Sequence, residues 1–219
     1  MREPVKGRTE AGRQRERRAR ATRARVVQSA VRLFIEHGYS ATTVVDIARD
    51  AGVAPATVYQ AFGTKQAVLA RALDTTIAGD HGPAALLDRD WVRNAREAPT
   101  GPARLAAVLD STASIAARTA ALKEVMRDAA ATDLRIRELI DSDERQRRVT
   151  QRSLVEEVIG ADALRPGMTV DRASDTFYLL VNSRSYTLAH ASLGWTESTW
   201  KAWLLESLSL AFFGETATS

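Results

Sequence analysis

The sequence predicts an all-α protein, with an N-terminal three-helix unit followed by a larger helical unit. Apolar residues recur at three- and four-residue spacing along most of the chain, which is the period of an amphipathic helix. No segment shows the strict alternation of a half-buried strand. Clusters of glycine and proline at 79–83 and 98–102 interrupt the helical pattern. We place the boundary between the two units at the first cluster, which divides the chain into residues 17–78 and 79–219.

Composition limits the class of protein. The 219 residues suffice for one large domain or two modest ones, and the absence of cysteine excludes disulfides and sulfur ligands. The first residues are charged, so we expect no secretory signal. We find no run of the ~18–20 apolar residues that a membrane span requires. The sequence therefore predicts a cytoplasmic protein without a membrane association.

Positive charge is concentrated at the N-terminus. Residues 1–25 contain ten Lys and Arg against three Glu, although the net charge of the whole chain is only +4. We expect residues 1–16 to form a disordered basic arm that binds DNA phosphates by counterion release. The alternative is a solubilising tail. The candidates for phosphate contacts beside the first helix are Arg17, Arg18, Arg20 and Arg23.

The first helix is predicted over residues 17–37, because apolar positions from Val27 to Phe34 form one inward stripe that Gly38 ends. A second, short helix follows, in which Val44, Ile47 and Ala48 share a buried face.

A tight turn then leads to a third helix over residues 55–62. Gly52 can adopt a left-handed turn conformation, and Pro55 suits the first helical turn. Val58 and Phe62 lie on one face, which leaves Thr57, Tyr59 and Gln60 pointing outward. This geometry is that of a helix-turn-helix, whose second helix enters the DNA major groove. An ordinary helical corner is the alternative.

These segments resemble the tetracycline-repressor (TetR) family over about residues 20–65. The resemblance depends on LFIEHGYSATTVVDIARDAGV followed by PATVYQAFGTK. The family often has Gly at the position of Ala56, and His or Tyr at that of Ala61. The resemblance implies that Thr43 and Lys65 hold phosphates. It also implies that the third helix contacts bases and backbone through Pro55, Ala56, Thr57, Tyr59 and Gln60.

The rest of the chain reads as further helices. They are predicted over residues 65–77, 86–96, 103–118, 121–131, 133–159, 170–193 and 197–213. The charge run at 141–148 is interpreted as a solvated face. The last helix is apolar around much of its circumference, which predicts a four-helix interface in a homodimer. The candidate interface residues are Tyr186, His190, Trp200, Trp203 and Leu204.

The resemblance further implies a pocket for an unknown small-molecule effector among the C-terminal helices. The candidate lining residues are Trp91, Met126, Tyr178 and Asn182, for each of which a place in the core is an alternative.

No pattern indicates catalysis. The three histidines are widely separated, so we expect no metal site, and no nucleophile or phosphate-loop motif predicts an enzyme or a cofactor. The sequence therefore predicts a DNA-binding transcriptional regulator, a ligand-responsive repressor that binds a palindromic double-stranded DNA site as a homodimer. The alternatives are a helical small-molecule-binding protein or enzyme, and a non-specific architectural DNA binder.

Overall fold

The computed structural model describes residues 10–79 and 86–214. Within these ranges every regular element is a helix. Backbone contacts divide the chain into unit 1, which ends at Asp74, and unit 2, which begins at Thr75. The division falls inside one helix, a few residues before the boundary that the sequence analysis places after Ala78.

Unit 1 contains a long first helix, two short helices and most of a fourth. They are α1 (Glu10–Ala41), α2 (Val44–Asp50), α3 (Pro55–Phe62) and α4 (Lys65–Ala78). The backbone of α1 leaves helical geometry at Gly38, with φ 79° and ψ 164°, where the sequence predicts the helix to end. The core of the unit is formed by side chains that are almost completely buried, among them Val27, Phe34, Ile47, Val58 and Leu69.

The start of α1 corrects the predicted disorder of residues 1–16. The helix begins at Glu10, so residues 10–16 are helical, while residues 1–9 lie outside the described part of the chain. Alanine and arginine are strong helix formers, and Glu10 in the first turn complements the helix dipole. These local preferences outweigh the lack of apolar residues, on which the prediction of disorder depended.

Unit 2 is built around one central helix. Its α-helices are α5 (Asp90–Glu97), α6 (Gly101–Ala130), α7 (Leu134–Ser153), α8 (Val170–Leu180), α9 (Ser183–Leu193) and α10 (Glu197–Phe213). A π-helical segment, Leu154–Gly160, continues α7. Helix α6 packs against α5, α7, α9 and α10. The common core includes Leu105, Leu109, Phe177, Trp200 and Phe212.

Three helix predictions in unit 2 are wrong. The predicted break at 119–120 is absent, since neither glycine nor proline interrupts α6 there. The predicted helix over 133–159 changes to π geometry at Leu154. The predicted helix over 170–193 is broken at Val181 and Asn182, because the Asn182 side chain caps α9 by accepting the N–H groups of Arg184 at 2.8 Å and Ser185 at 3.0 Å.

Helix α6 is long and apolar enough to cross a membrane by length and composition alone, with a mean hydropathy of 1.2 over its most apolar window. Half of that window is buried inside the protein. A central core helix passes the same test, so this is weak evidence for a membrane span.

Candidate DNA interface and effector cavity

Helix α3 presents its predicted base-contacting residues to solvent. Val58 faces the core and is 1% exposed, whereas the next residue, Tyr59, is 52% exposed. Gln60, Pro55 and Ala56 are also exposed, and Thr57 is half-buried. The helix begins with Pro55 in its first turn and ends at Gly63, whose φ is 78°. One side of a short helix is therefore anchored and the other side is available to a partner.

The predicted phosphate-holding residue Thr43 has a second role. Its hydroxyl accepts the backbone N–H of Asp46 at 3.1 Å and donates to the Asp46 carboxylate at 2.6 Å. The Thr43 N–H donates to the same carboxylate at 3.1 Å, which completes a capping box at the start of α2. The Thr43 hydroxyl bond, followed by the backbone bond, holds the pKa of Asp46 below its usual value. Contact with a phosphate remains a prediction for Thr43.

Lys65 likewise has a structural role that sequence reasoning missed. Its Nζ donates to the carbonyl of Tyr39 at 2.9 Å and to that of Thr42 at 3.0 Å. The ammonium also lies 4.1 Å from the centre of the Tyr39 ring. Lys65 thus fastens the start of α4 to the connection between α1 and α2. Contact of Lys65 with a phosphate stays a prediction.

The basic segment at the start of α1 is exposed. Residues 10–25 contain seven arginines and two glutamates. Arg17, Arg18, Arg20 and Arg23 are exposed, and they make no hydrogen bond or ion pair with any residue that the structure describes. Their charges are therefore available for phosphates.

Unit 2 contains a partly open cavity of about 370 Å³. Its apolar wall includes Ile77, Leu86, Ile115, Ala116 and Leu154. Its polar wall includes Lys123, Asp143, Gln146, Arg147 and Asn182. This volume lies within the range of small-molecule sites, and the mixture of a broad apolar wall with a few polar groups is typical of them.

Of the four predicted pocket residues, only Asn182 lines this cavity. Met126 is 1% exposed and belongs to the packed interior. Trp91 lines a separate cavity of about 260 Å³. Tyr178 lies outside the lining, and its hydroxyl donates to the Glu144 carboxylate at 2.8 Å. Met126 and Tyr178 therefore do not border this cavity, since helical spacing shows which side chains face inward but not which of them border a void. Contact with an effector stays a prediction for Trp91 and Asn182.

The charge run at 141–148 is only partly the solvated face that the sequence predicts. Asp143 and Arg147 turn inward, with side chains 15% and 18% exposed. Arg147 Nη1 donates to the carbonyl of Tyr178 at 3.2 Å and that of Val181 at 3.4 Å. Gln151 Nε2 donates to the Val181 carbonyl at 3.0 Å. Side chains of α7 therefore satisfy the carbonyl groups at the break between α8 and α9.

Glu144 completes this network. Burial alone would raise the pKa of Glu144, but the charge and hydrogen bonds of Arg147 and the Tyr178 hydroxyl outweigh burial and lower it. Burial, and then the bond to Glu144, raise the pKa of Tyr178, which keeps its hydroxyl protonated as a donor. Because the pKa of Glu144 is lowered on folding, the ionised carboxylate stabilises the fold at pH values above the pKa of the unfolded chain, which is about 4.3. This stabilisation is lost as the pH falls through the pKa of Glu144 in the folded protein.

We expect Glu144→Gln to lower the free energy of unfolding by about 1–3 kcal/mol at pH 7, because the amide cannot replace the charged acceptor. The difference from the unaltered protein should shrink as the pH falls through the lowered pKa of Glu144, since the carboxyl group is then protonated. Urea unfolding followed by circular dichroism at several pH values measures both. Glu138→Gln, at an exposed position of the same helix, is the control. A difference that is the same at all pH values would contradict this assignment.

The predicted dimer interface requires a correction at two of its five residues, while the other three stay predictions. Trp200 and Leu204 are 0% exposed and belong to the core of unit 2. Trp203 and Tyr186 pack partly against the same core, while His190 is exposed and its Nδ1 lies 2.9 Å from the Trp195 carbonyl oxygen. The apolar circumference of the last helix is therefore explained mainly by its own unit. The large apolar side chains exposed on α9 and α10 are Leu188, Leu193 and Leu210.

The described residues contain no group of three His, Asp or Glu side chains that could hold a metal ion. His37 and His190 are exposed, and His81 lies outside the described ranges.

Comparison with known proteins gives one consistent family. The family model for bacterial regulatory proteins of the TetR family matches residues 26–72. The HTH-type transcriptional regulator HbdR of Aromatoleum sp. (strain CIB) is 43% identical over 47 residues, which are 22% of this chain and 20% of that protein. The match thus spans about a fifth of the length of that relative.

Two solved structures share the fold over most of the chain. The regulator FadR from Bacillus subtilis, in complex with stearoyl-CoA, superposes with a TM-score of 0.66 at 21% identity, over 84% of this chain and 96% of FadR. NalD, the secondary repressor of the MexAB-OprM multidrug efflux pump in Pseudomonas aeruginosa, superposes with a TM-score of 0.60 at 21% identity, over 88% of this chain and 96% of NalD. FadR is described as a transcriptional regulator and NalD as a repressor. Residues 26–72, which contain the helix-turn-helix of unit 1, are therefore similar to the DNA-binding part of TetR-family regulators, and most of the chain shares the fold of these two proteins.

Proposed function

We propose that the protein is a cytoplasmic transcriptional repressor that binds a palindromic DNA site as a homodimer and releases it when a small molecule enters unit 2. Residues 17–78 would bind DNA, and residues 79–219 would bind the effector and form the dimer. The observation that carries this proposal is helix α3, which buries Val58 and displays Tyr59 and Gln60 within a TetR-type helix-turn-helix.

The proposed contacts fall into two groups. Thr43, Lys65 and the arginines of α1 would contact phosphates, which position the protein without reading sequence. The exposed side of α3 would read bases: Gln60 suits the adenine edge, and the methyl group of Thr57 or the ring of Pro55 suits a thymine methyl. Tyr59 and Ala56 lie on the same surface and would complete the contact.

We expect Gln60→Ala to relax specificity at one base position by about 1–3 kcal/mol, because a bidentate contact to one base is lost. The full chain is first used to select its site from random duplex DNA, and affinities for single-base variants of that site are then measured by fluorescence anisotropy at fixed salt. Gln28→Ala, at an exposed position of α1, is the matched control. Equal affinity of the unaltered protein for selected and random DNA would contradict specific regulation and favour an architectural binder.

The exposed leucines support a revised dimer surface on α9 and α10. Leu188 is 65% exposed and Leu210 is 55% exposed, although both are large apolar side chains on adjacent helices of one unit. A second copy that covers them would remove this apolar area from water and place two α3 helices on one duplex. We infer that these residues, rather than Trp200 and Leu204, contact the partner.

The contacts of Arg118 support a route from the cavity to helix α4. Arg118 lies on α6, and its Nε donates to the Thr76 carbonyl at 2.7 Å while its Nη2 donates to the Ile77 carbonyl at 2.5 Å. Ile77 also lines the cavity, as do Ile115 and Thr119 on α6. A ligand that contacts these residues therefore acts where the last turn of α4 is held, and α4 continues from there to Lys65.

An effector can shift DNA affinity only by binding the two conformations differently, and such couplings are typically about 1–3 kcal/mol. The two solved relatives are consistent with this mode of action, since FadR is described in complex with stearoyl-CoA and NalD is described as a repressor.

A further inference from the structure

We propose that the cavity of unit 2 accepts an uncharged, mainly aliphatic molecule that carries one group able both to donate and to accept a hydrogen bond, such as an alcohol or a primary amide. The polar group would be held by the Lys123–Asp143 pair. This inference rests on the proposed function only in taking the cavity as the effector site.

The apolar wall determines the body of the ligand. It consists of aliphatic side chains, among them Ile77, Leu86, Ile115 and Leu154, and no aromatic ring is among the described lining residues. The volume of about 370 Å³ lies near the lower end of the range for small-molecule sites. A short alkyl chain therefore fits without ring stacking.

The polar group of the ligand is inferred from the hydrogen-bond donors and acceptors of Lys123 and Asp143 that have no protein partner among the described residues. Lys123 Nζ donates to Asp143 Oδ2 at 2.7 Å, with the two side chains 11% and 15% exposed. Among the described residues this is the one bond that each side chain makes, which leaves two ammonium donors and one carboxylate oxygen. A hydroxyl group can donate to Asp143 and accept from Lys123 at the same time.

The charge balance of the wall argues against an ionic ligand. Lys123 is balanced by Asp143, and the other charged lining residue, Arg147, is balanced by Glu144 at 2.6 Å. The remaining donors of Arg147 serve Gln151 and backbone carbonyl groups. A carboxylate or an ammonium ion would therefore bring an uncompensated charge beside side chains that are only 11–18% exposed, which is costly.

The proposal is tested on the full-length protein without DNA, with four eight-carbon probes that differ in their polar group: 1-octanol, octanamide, octanoate and octylammonium. Isothermal titration calorimetry at pH 7 should show that the two neutral probes bind about tenfold or more tightly than either ion. Equal or tighter binding of an ion, or no binding of any probe, would overturn the proposal.

A double variant, Lys123→Met/Asp143→Leu, tests the assignment to this ion pair. Replacing both partners with apolar residues of similar volume avoids leaving one charge buried alone. The preference for 1-octanol over its methyl ether, which cannot donate, should be present in the unaltered protein and absent in this variant.

The control is Lys201→Met/Asp110→Leu, which removes the same type of pair at the same 2.7 Å distance away from this cavity, and it should keep the preference. A preference that survives in the Lys123→Met/Asp143→Leu variant would contradict the proposal. If that variant does not fold, the ranking of the four probes by the unaltered protein decides. The calorimetry uses no DNA, so it tests ligand binding separately from regulation. If the probes bind with the expected ranking but do not release DNA in a separate binding assay, the regulatory proposal is contradicted and this one stands.

Discussion

Replacing Leu188 and Leu210 together with arginine is expected to convert the proposed dimer into monomers and to weaken binding to a two-half-site DNA by about 10²–10⁴-fold. Both side chains are more than half exposed in the single chain, so the substitutions leave the core of unit 2 intact. In the dimer they would place like charges in an apolar contact. The loss of affinity is large because the second half-site is then bound only from free solution.

The matched control is Leu134→Arg/Val149→Arg on α7. These side chains are 72% and 61% exposed and apolar, so the control adds the same charge to a surface that is not assigned to the dimer. Sedimentation velocity at micromolar concentration gives the oligomeric state, and anisotropy gives the DNA affinity. Dimers in the Leu188/Leu210 variant, or monomers in the control, would show that the interface is elsewhere.

Replacing Arg17, Arg18, Arg20 and Arg23 with glutamine is expected to weaken binding to every DNA sequence by a similar factor. The slope of log K against log salt should become less steep by about 0.9 for each phosphate contact that is lost, or about 3–4 for each bound subunit. Glutamine has a helix propensity close to that of arginine, and none of the four side chains bonds to a described residue, so α1 should persist.

Four exposed arginines of unit 2 provide the control: Arg135, Arg145, Arg172 and Arg184. Their replacement by glutamine changes the net charge equally. If both variants flatten the salt dependence alike, the effect is one of overall charge and the start of α1 makes no phosphate contact. If neither does, the basic segment takes no part in DNA binding.

The helices of unit 1 could be predicted because their signals are local. Gly52, Pro55 and Gly63 mark the ends of short helices through backbone conformations that few other residues adopt, and Val58 lies on the face that the spacing predicts. Lys65 shows the limit of such signals. Its bonds to the carbonyl groups of Tyr39 and Thr42 join residues more than twenty positions apart, which no local pattern indicates.

Unit 2 was less predictable because its site depends on packing between distant helices. The break before Asn182 is stabilised by Arg147 and Gln151 from α7, about thirty residues earlier, and an apolar helical pattern runs through it without interruption. The inward orientation of Lys123 and Asp143 likewise depends on packing between two helices, because a charged residue within either helix alone gives no sign that it is buried. Trp200 was predicted to lie in a dimer interface but is buried in unit 2, because an apolar helix face does not reveal whether it packs within one chain or between two.

The arrangement around Arg147 restricts which substitutions that position tolerates. One planar guanidinium serves a carboxylate, an amide oxygen and two backbone carbonyls, and these acceptors lie in different directions. Lysine carries the same charge but concentrates three donors on one atom, so it cannot reach all of them. Natural relatives that retain the α8–α9 bend should therefore either keep arginine here or replace the whole set of partners together.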